Sequence, residues 1–205
     1  LNELKPTHPP NCSVLPAHFF ERDTLDVARA LLGCRLLKYE YGSNSWIACE
    51  IVETEAYTAN DPACHAYNRR GGRAEMLYAH PGTAYVYLIY GMYDCFNVVT
   101  EPLDTAGAVL FRALEPPIDS GFRTNGPGRL TKAMGITRQE FNGKPLTDWQ
   151  SGLVLAHGKV YDDAEIVQTT RIGITKAMDY PWRFYVKESA WVSVREKPIK
   201  PFKLD

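Results

Sequence analysis

The chain has 205 residues, of which 45% are hydrophobic, 12% aromatic and 23% charged, enough for one globular domain whose core needs no disulfide or metal staple. Charges interrupt every apolar run short of the roughly 18–20 residues that a membrane-spanning helix requires, and no secretory h-region is visible, so no membrane partner is expected. Lys and Arg number 23 against 24 Asp and Glu, a formal net charge of -1; this disfavours a protein that coats nucleic acid through broad positive charge and requires any polyanion to meet a local patch.

Residues 1–16 carry Pro6, Pro9, Pro10 and Pro16 with little apolar periodicity, which predicts a flexible, proline-rich lead-in ahead of one domain over 17–205. Asp23 or Thr24 can cap a short helix whose apolar positions Leu25, Ala28, Leu31 and Leu32 recur at helical spacing, with Gly33 where it would stop. Residues 34–41 and 46–57 read as strands joined by the turn Gly42-Ser43-Asn44-Ser45. A second hairpin is expected from 85–90 and 94–100 with Gly91 near its tip, then a strand over 107–115. A helix follows Asn125-Gly126-Pro127-Gly128 over 129–134, and 183–187 and 191–194 read as closing strands. Antiparallel pairing and the absence of internal repeats predict a single α+β domain.

Cys12, Cys34, Cys49, Cys64 and Cys95 lie at least fifteen residues apart with no C-x-x-C pair, which reads as reduced thiols in an intracellular protein. His8, His18, His65, His80 and His157 show neither H-x-H nor H-x-x-x-H spacing, so no metal is expected. Asn11-Cys12-Ser13 matches the glycosylation acceptor without a secretory signal to give it meaning.

In the strand over 46–57, alternation puts Ile47, Cys49, Ile51, Glu53, Glu55 and Tyr57 on one face. Two carboxylates thus follow three apolar side chains toward the same side. Left unpaired in a core they would cost several kcal/mol, roughly; the competing arrangement is a strand that twists outward after Ile51 and leaves both acids wet. Arg112, in the middle of Gly107-Ala108-Val109-Leu110-Phe111-Arg112-Ala113-Leu114, is the complement. It either meets a buried anion or snorkels from an edge strand. Pairing Glu55 with Arg112 would satisfy both and keep a carboxylate ionised at neutral pH, as a general base requires.

Four tyrosines, Tyr85, Tyr87, Tyr90 and Tyr93, fall within the eleven residues 83–93. A packed sheet face accounts for Tyr85 and Tyr87. Tyr90 and Met92 at a hairpin tip would instead be exposed apolar groups, suited to entering a stack of bases or to a dimer or crystal contact. Basic residues gather twice: Arg69, Arg70 and Arg73 around Gly71-Gly72, and Arg123, Arg129, Lys132 and Arg138 in an acid-free stretch over 121–138. Either cluster could hold phosphates or be a solvated face. The stretch from Gly126 to Lys132 fails the spacing G-x-x-x-x-G-K-[ST], which excludes a nucleotide-triphosphatase and leaves the helix N-terminus as a candidate anion site.

Ile51-Val52-Glu53-Thr54-Glu55-Ala56-Tyr57, the later His65, Pro81-Gly82-Thr83-Ala84-Tyr85-Val86-Tyr87-Leu88-Ile89-Tyr90-Gly91-Met92-Tyr93, Asn97, Val109-Leu110-Phe111-Arg112-Ala113-Leu114-Glu115-Pro116 and Arg183-Phe184-Tyr185-Val186 together resemble the alkyladenine (3-methyladenine) DNA glycosylase family. The resemblance runs in order from about residue 19 to 194. It departs from the family pattern around Pro62-Ala63-Cys64 and over 76–80, which bears on substrate breadth.

The resemblance implies a curved antiparallel sheet with flanking helices and a protruding hairpin, and hydrolysis of the N-glycosidic bond of a damaged purine rotated out of duplex DNA. Glu55 matches the general base that activates water; Arg112 and the backbone carbonyl of Ile172 match groups that help to hold that water. Tyr57, His65 and Tyr87 match the walls around the flipped base, where tyrosine faces favour cationic bases. Asn97 matches the position that crowds guanine's exocyclic amino group, and Tyr90 the side chain that fills the gap in the duplex. Arg69, Arg70, Arg73, Arg129 and Lys132 are candidate backbone contacts. No cofactor is implied; the partner is double-stranded DNA holding a damaged purine, met by a monomer inside the cell, at the chromosome. Two rivals stand beside this reading: a non-catalytic nucleic-acid module with an aromatic stacking platform, and a bifunctional lyase with an amine nucleophile.

Overall fold

A computed structural model describes residues 6–9 and 11–195; residues 1–5, Pro10 and 196–205, which include part of the expected lead-in, lie outside the described residues. In chain order the elements are α1 (Ala17–Phe20), α2 (Thr24–Ala30), β1 (Arg35–Glu40), β2 (Ser45–Thr58), β3 (Ala84–Ile89), β4 (Tyr93–Val99), β5 (Gly107–Glu115), α3 (Pro127–Met134), α4 (Arg138–Phe141), β6 (Leu153–Ala156), β7 (Ile166–Thr169) and β8 (Arg183–Val186). The Asp23 carboxylate caps α2 by accepting from the backbone N–H groups of Leu25 and Asp26, satisfying donors that a helix start otherwise leaves open.

The strands form one antiparallel sheet in the order β3-β4-β5-β2-β1-β6, with β8 pairing both β2 and β7. β2 is its long axis. Its first half pairs with β1, Glu55 in its second half stands opposite Arg183 of β8, and β5 runs along its other edge. The pairing of β2 with β5 shifts register around Glu53, a local irregularity of the kind that increases twist and curls a sheet. The curled α+β architecture and the protruding β3–β4 hairpin follow the expectation from the sequence.

Two strands were not legible in the pattern. β6 is a wholly buried four-residue apolar run, too short to separate from a helix segment by periodicity; it is a strand because β1 offers it an edge. β7 exists because β8 does. Residues 191–194, expected as a strand, are not one. The Ser193 N–H donates to Glu53 Oε2 at 2.6 Å and the Trp191 N–H to Ser189 Oγ at 3.2 Å, so these donors serve side chains rather than a ladder. The end of the proline-rich segment also joins the packing: Leu15 is fully buried in the core, its N–H bonds Leu155 O at 2.8 Å, and Val14 bridges Ala156.

The main core unites α2, α3 and the sheet through side chains such as Val27, Leu31, Ile51, Phe96, Phe111 and Leu130. Cys49 Sγ lies 3.4 Å from Met134 Sδ of α3 and Thr54 donates to Ala28 O of α2 at 2.8 Å. The two helices share one core with Cys49, Ile51, Val52 and Ala56 of β2, and Glu53, Glu55 and Tyr57 lie outside that core. All five cysteines are free.

Gly33 has φ +83°, and a Cβ there would run into the Lys159 carbonyl, to whose own N–H Gly33 O is bonded at 2.9 Å. Both the backbone region and the space require glycine. Gly33→Ala is expected to cost at least about 2 kcal/mol in urea unfolding, with the slope of the transition unchanged.

Candidate active site

Glu53 and Glu55 are both fully buried, so the strand does not twist outward after Ile51. Arg112, 7% exposed on β5, stands between them: its Nε is 3.3 Å from Glu53 Oε1 and its Nη1 3.3 Å from Glu55 Oε1. Arg183 of β8 adds a second guanidinium, Nη1 to Glu53 Oε1 at 2.9 Å. Two carboxylates and two guanidiniums are therefore packed together without net charge, and Ser193 Oγ donates to Glu53 Oε1 at 3.0 Å.

Glu55 receives the Ile172 N–H on Oε1 at 2.7 Å and the Tyr57 hydroxyl on Oε2 at 2.8 Å. Burial pushes its carboxyl above the usual range; Arg112, the Ile172 N–H and the Tyr57 hydroxyl pull against that rise, and Glu53 adds to it. The result is a basic carboxylate whose charged form is held by three donors. A carboxylate accepts about four hydrogen bonds, so one acceptor position is left unused. The Ile172 carbonyl takes a long 3.5 Å bond from Arg112 Nη1.

The three groups that hold Glu55, from Tyr57, Arg112 and Ile172, line a cavity of about 900 Å³, together with His65, Tyr87 and Asn97 among others; Glu55 itself lies behind them. It lies within the span of ligand sites, roughly 300–1,000 Å³. The sequence-predicted pocket residues thus converge although they come from β2, the loop after it, β3, β4, β5 and the 170–175 loop. The His65 ring meets Tyr87 edge-on at 4.7 Å and its Nδ1 lies 2.8 Å from the Tyr85 hydroxyl. Burial, reinforced by Arg73 and Arg69, pulls its pKa down to about 4, so the ring is neutral at pH 7. Asn97 is buried, with its amide nitrogen on Tyr85 O at 3.1 Å.

Tyr90 is 79% exposed at the tip of the β3–β4 hairpin. Tyr90 and Gly91 have φ +52° and +68°, and the Met92 N–H closes the turn on Ile89 O. A non-glycine residue in the left-handed region costs about 1 kcal/mol, yet the turn puts a tyrosine there. Met92 is 69% exposed beside it.

The basic candidates divide. Arg129 and Lys132 of α3 line the cavity rim. Arg69 donates to His65 O and Arg73 lies over the Tyr87 ring at 5.9 Å. Arg70 is taken up by Glu75 and Asp104. Sequence reading missed Lys176 and Ser193, which also line the cavity, and the buried pair of Asp61 with Arg171. None carries a local motif; a lone lysine in a loop or an Asp 110 residues from its Arg leaves no periodic signal. Among the described residues no group of His, Cys, Asp and Glu is placed to hold a metal.

A buried carboxylate whose partners Tyr57, Arg112 and Ile172 line an aromatic cavity, with an exposed tyrosine at its edge, is an arrangement that can support hydrolysis of a bond to a planar ligand. Comparison with known sequences makes the class specific: the family described as methylpurine-DNA glycosylase matches residues 18–190. Proteins provisionally named 3-methyladenine DNA glycosylase are similar over most of the chain. That of Salinibacter ruber is 45% identical over 203 residues, 87% of this chain and 96% of its own. That of Carboxydothermus hydrogenoformans is 45% identical over 192 residues, 88% and 98%, and that of Methanoculleus marisnigri 44% over 194 residues, 88% and 99%. The chain belongs to the methylpurine-DNA glycosylase family, enzymes of DNA repair.

Because the Tyr57 hydroxyl favours the charged form of Glu55, Tyr57→Phe is expected to raise the Glu55 pKa and move the acid limb of kcat/KM to higher pH. An unmoved or lowered limb in a pH–rate profile would show that Glu55 does not set it.

Proposed function

We propose that the protein hydrolyses the N-glycosidic bond of alkylated or deaminated purines in double-stranded DNA, among them 3-methyladenine, 7-methylguanine, hypoxanthine and ethenoadenine, after flipping the nucleotide into the cavity. The observation that carries this reading is a fully buried carboxylate, Glu55, whose three partners Tyr57, Arg112 and Ile172 line an aromatic-walled cavity that opens beside an exposed, backbone-strained tyrosine. Glu55 takes the proton of a water held near Arg112 and the Ile172 carbonyl; the water oxygen bonds to the sugar C1′ as the C1′–N bond breaks, and the bonding pair leaves with the base. A cationic base departs neutral, which eases that step.

Tyr57, His65 and Tyr87 enclose the base. The neutral His65 presents no like charge to a cationic purine, and the ring faces attract it. Asn97 lies where a guanine amino group would approach, and Tyr90 takes the place of the extruded base in the stack. Arg129 and Lys132 at the rim meet phosphates, with Arg69 and Arg73 on the far side; Arg70 contributes only if Glu75 and Asp104 release it. The enzyme acts as a monomer on duplex DNA at the chromosome inside the cell.

Glu55→Gln is expected to lower single-turnover release of 7-methylguanine or hypoxanthine from duplex DNA by about 10²–10⁴-fold; equal rates in both forms would remove Glu55 from the chemistry. Borohydride trapping on the same substrate yields no covalent adduct if water is the nucleophile, whereas an adduct would turn attention to Lys132 or Lys176. Tyr90→Gly is expected to leave the thermal midpoint equal or raised, since the strained φ is relieved, while release from duplex DNA falls by at least tenfold. A variant as active as the wild type would show that the hairpin does not fill the vacated stack.

A further inference from the structure

Behind the wall of the cavity lies a charged pair that the chemistry at Glu55 does not use. Arg171 and Asp61 are both buried with fully covered side chains. Arg171 Nη2 donates to Asp61 Oδ1 at 2.9 Å, its Nη1 meets Oδ2, and the same Nη1 donates to Ala56 O at 2.9 Å. Asp61 Oδ1 in turn accepts the Ala63 N–H at 2.9 Å, so the carboxylate also ties down the loop that lines the cavity with Pro62, Ala63 and Cys64.

The guanidinium lies over two rings. Its Cζ is 4.6 Å from the centroid of Tyr57 and 5.1 Å from that of Trp182. Tyr57 lines the cavity and Arg171 is buried behind it, so the ring separates a permanent positive charge from whatever stacks on its open side. An aromatic ring attracts cations to either face, but a second cation shares that attraction with the first and is repelled by it through a poorly screened interior. Asp61 offsets the repulsion from the guanidinium's edge, while the ring itself faces the guanidinium.

We propose that the Asp61–Arg171 pair is a positioning pair that sets selectivity between cationic and neutral damaged bases, acting through the far face of Tyr57. This rests on the reading that the flipped base stacks on Tyr57. With the carboxylate present, the net field behind the ring is small and a cationic purine is accepted. Without it, the full guanidinium charge opposes the cation and leaves a neutral purine almost unaffected. An effect on Glu55 scales the rates on both bases and cancels from their ratio, and a change in the 61–64 loop is common to the single and double variants of the test, so it does not move their ratios in opposite directions.

The test measures kcat/KM of the full chain on duplex DNA containing either cationic 7-methylguanine or neutral hypoxanthine. Asp61→Asn is expected to lower the cationic-to-neutral ratio at least fivefold. The double variant Asp61→Asn/Arg171→Met, which removes both buried charges and is the better tolerated if the single variant fails to fold, is expected to raise the ratio at least twofold above wild type. A ratio at or below wild type in the double variant overturns the proposal, as does an unchanged ratio in a folded Asp61→Asn protein. Tyr57→Leu compared with Tyr57→Phe, which loses the same hydroxyl bond to Glu55 but keeps the ring, separates the underlying reading: if the two variants have equal rates on both bases, the base does not stack on Tyr57 and the reading of the wall falls. If Tyr57→Leu is the slower on both while the ratios of the charge variants stay at the wild-type value, only the selectivity proposal falls.

Discussion

Two acids from one strand face, buried between two arginines from the neighbouring strands, are the constraint around which this molecule is arranged. Glu53 and Glu55 project from β2, Arg112 comes from β5 on one side and Arg183 from β8 on the other. None of the four is affordable alone: a buried charge that loses its partner costs about 3–5 kcal/mol. The register between β2, β5 and β8 must therefore hold, because a one-residue slip would turn the acids to the opposite face. The same demand explains why residues 191–194 are irregular. Ser193 delivers both its N–H and its hydroxyl to Glu53 and so leaves the sheet.

The quartet also prepares the chemistry. Glu53, bound by Arg183 and Ser193, steadies the guanidinium of Arg112, which then reaches Glu55 and the Ile172 carbonyl together. Burial makes Glu55 more basic than an exposed glutamate, and its three donors restrain that rise. Rigid strands carry these groups, whereas Tyr90 sits at an exposed hairpin tip, where its strain is tolerated because few contacts oppose it. A net charge of -1 gives no general attractive field for a polyanion, and the cations Arg129, Lys132 and Lys176 are gathered locally along the cavity.

Strands β2 and β5 and the hairpin stand out in the sequence because each alternates or runs apolar between clear turn signals. Likewise Glu55, Arg112, Tyr57, His65, Tyr87, Asn97 and Tyr90 lie in strings distinctive enough to suggest their roles. Leu15 escaped notice because four surrounding prolines mask a single core side chain, and β6 because four buried residues have no period. Arg171 does not stand out in the sequence, since nothing near it in the chain signals a carboxylate partner.

The sequence by itself determined the secondary elements with strong periodicity, the placement of two acids on one strand face and the family to which those strings belong, because these properties depend on neighbours a few residues apart. Only the tertiary structure decided that both acids are dry, that Arg183 and Ser193 complete their charge balance, and that a guanidinium lies behind Tyr57. Those outcomes depend on desolvation and on contacts between residues more than a hundred positions apart, which local pattern does not encode.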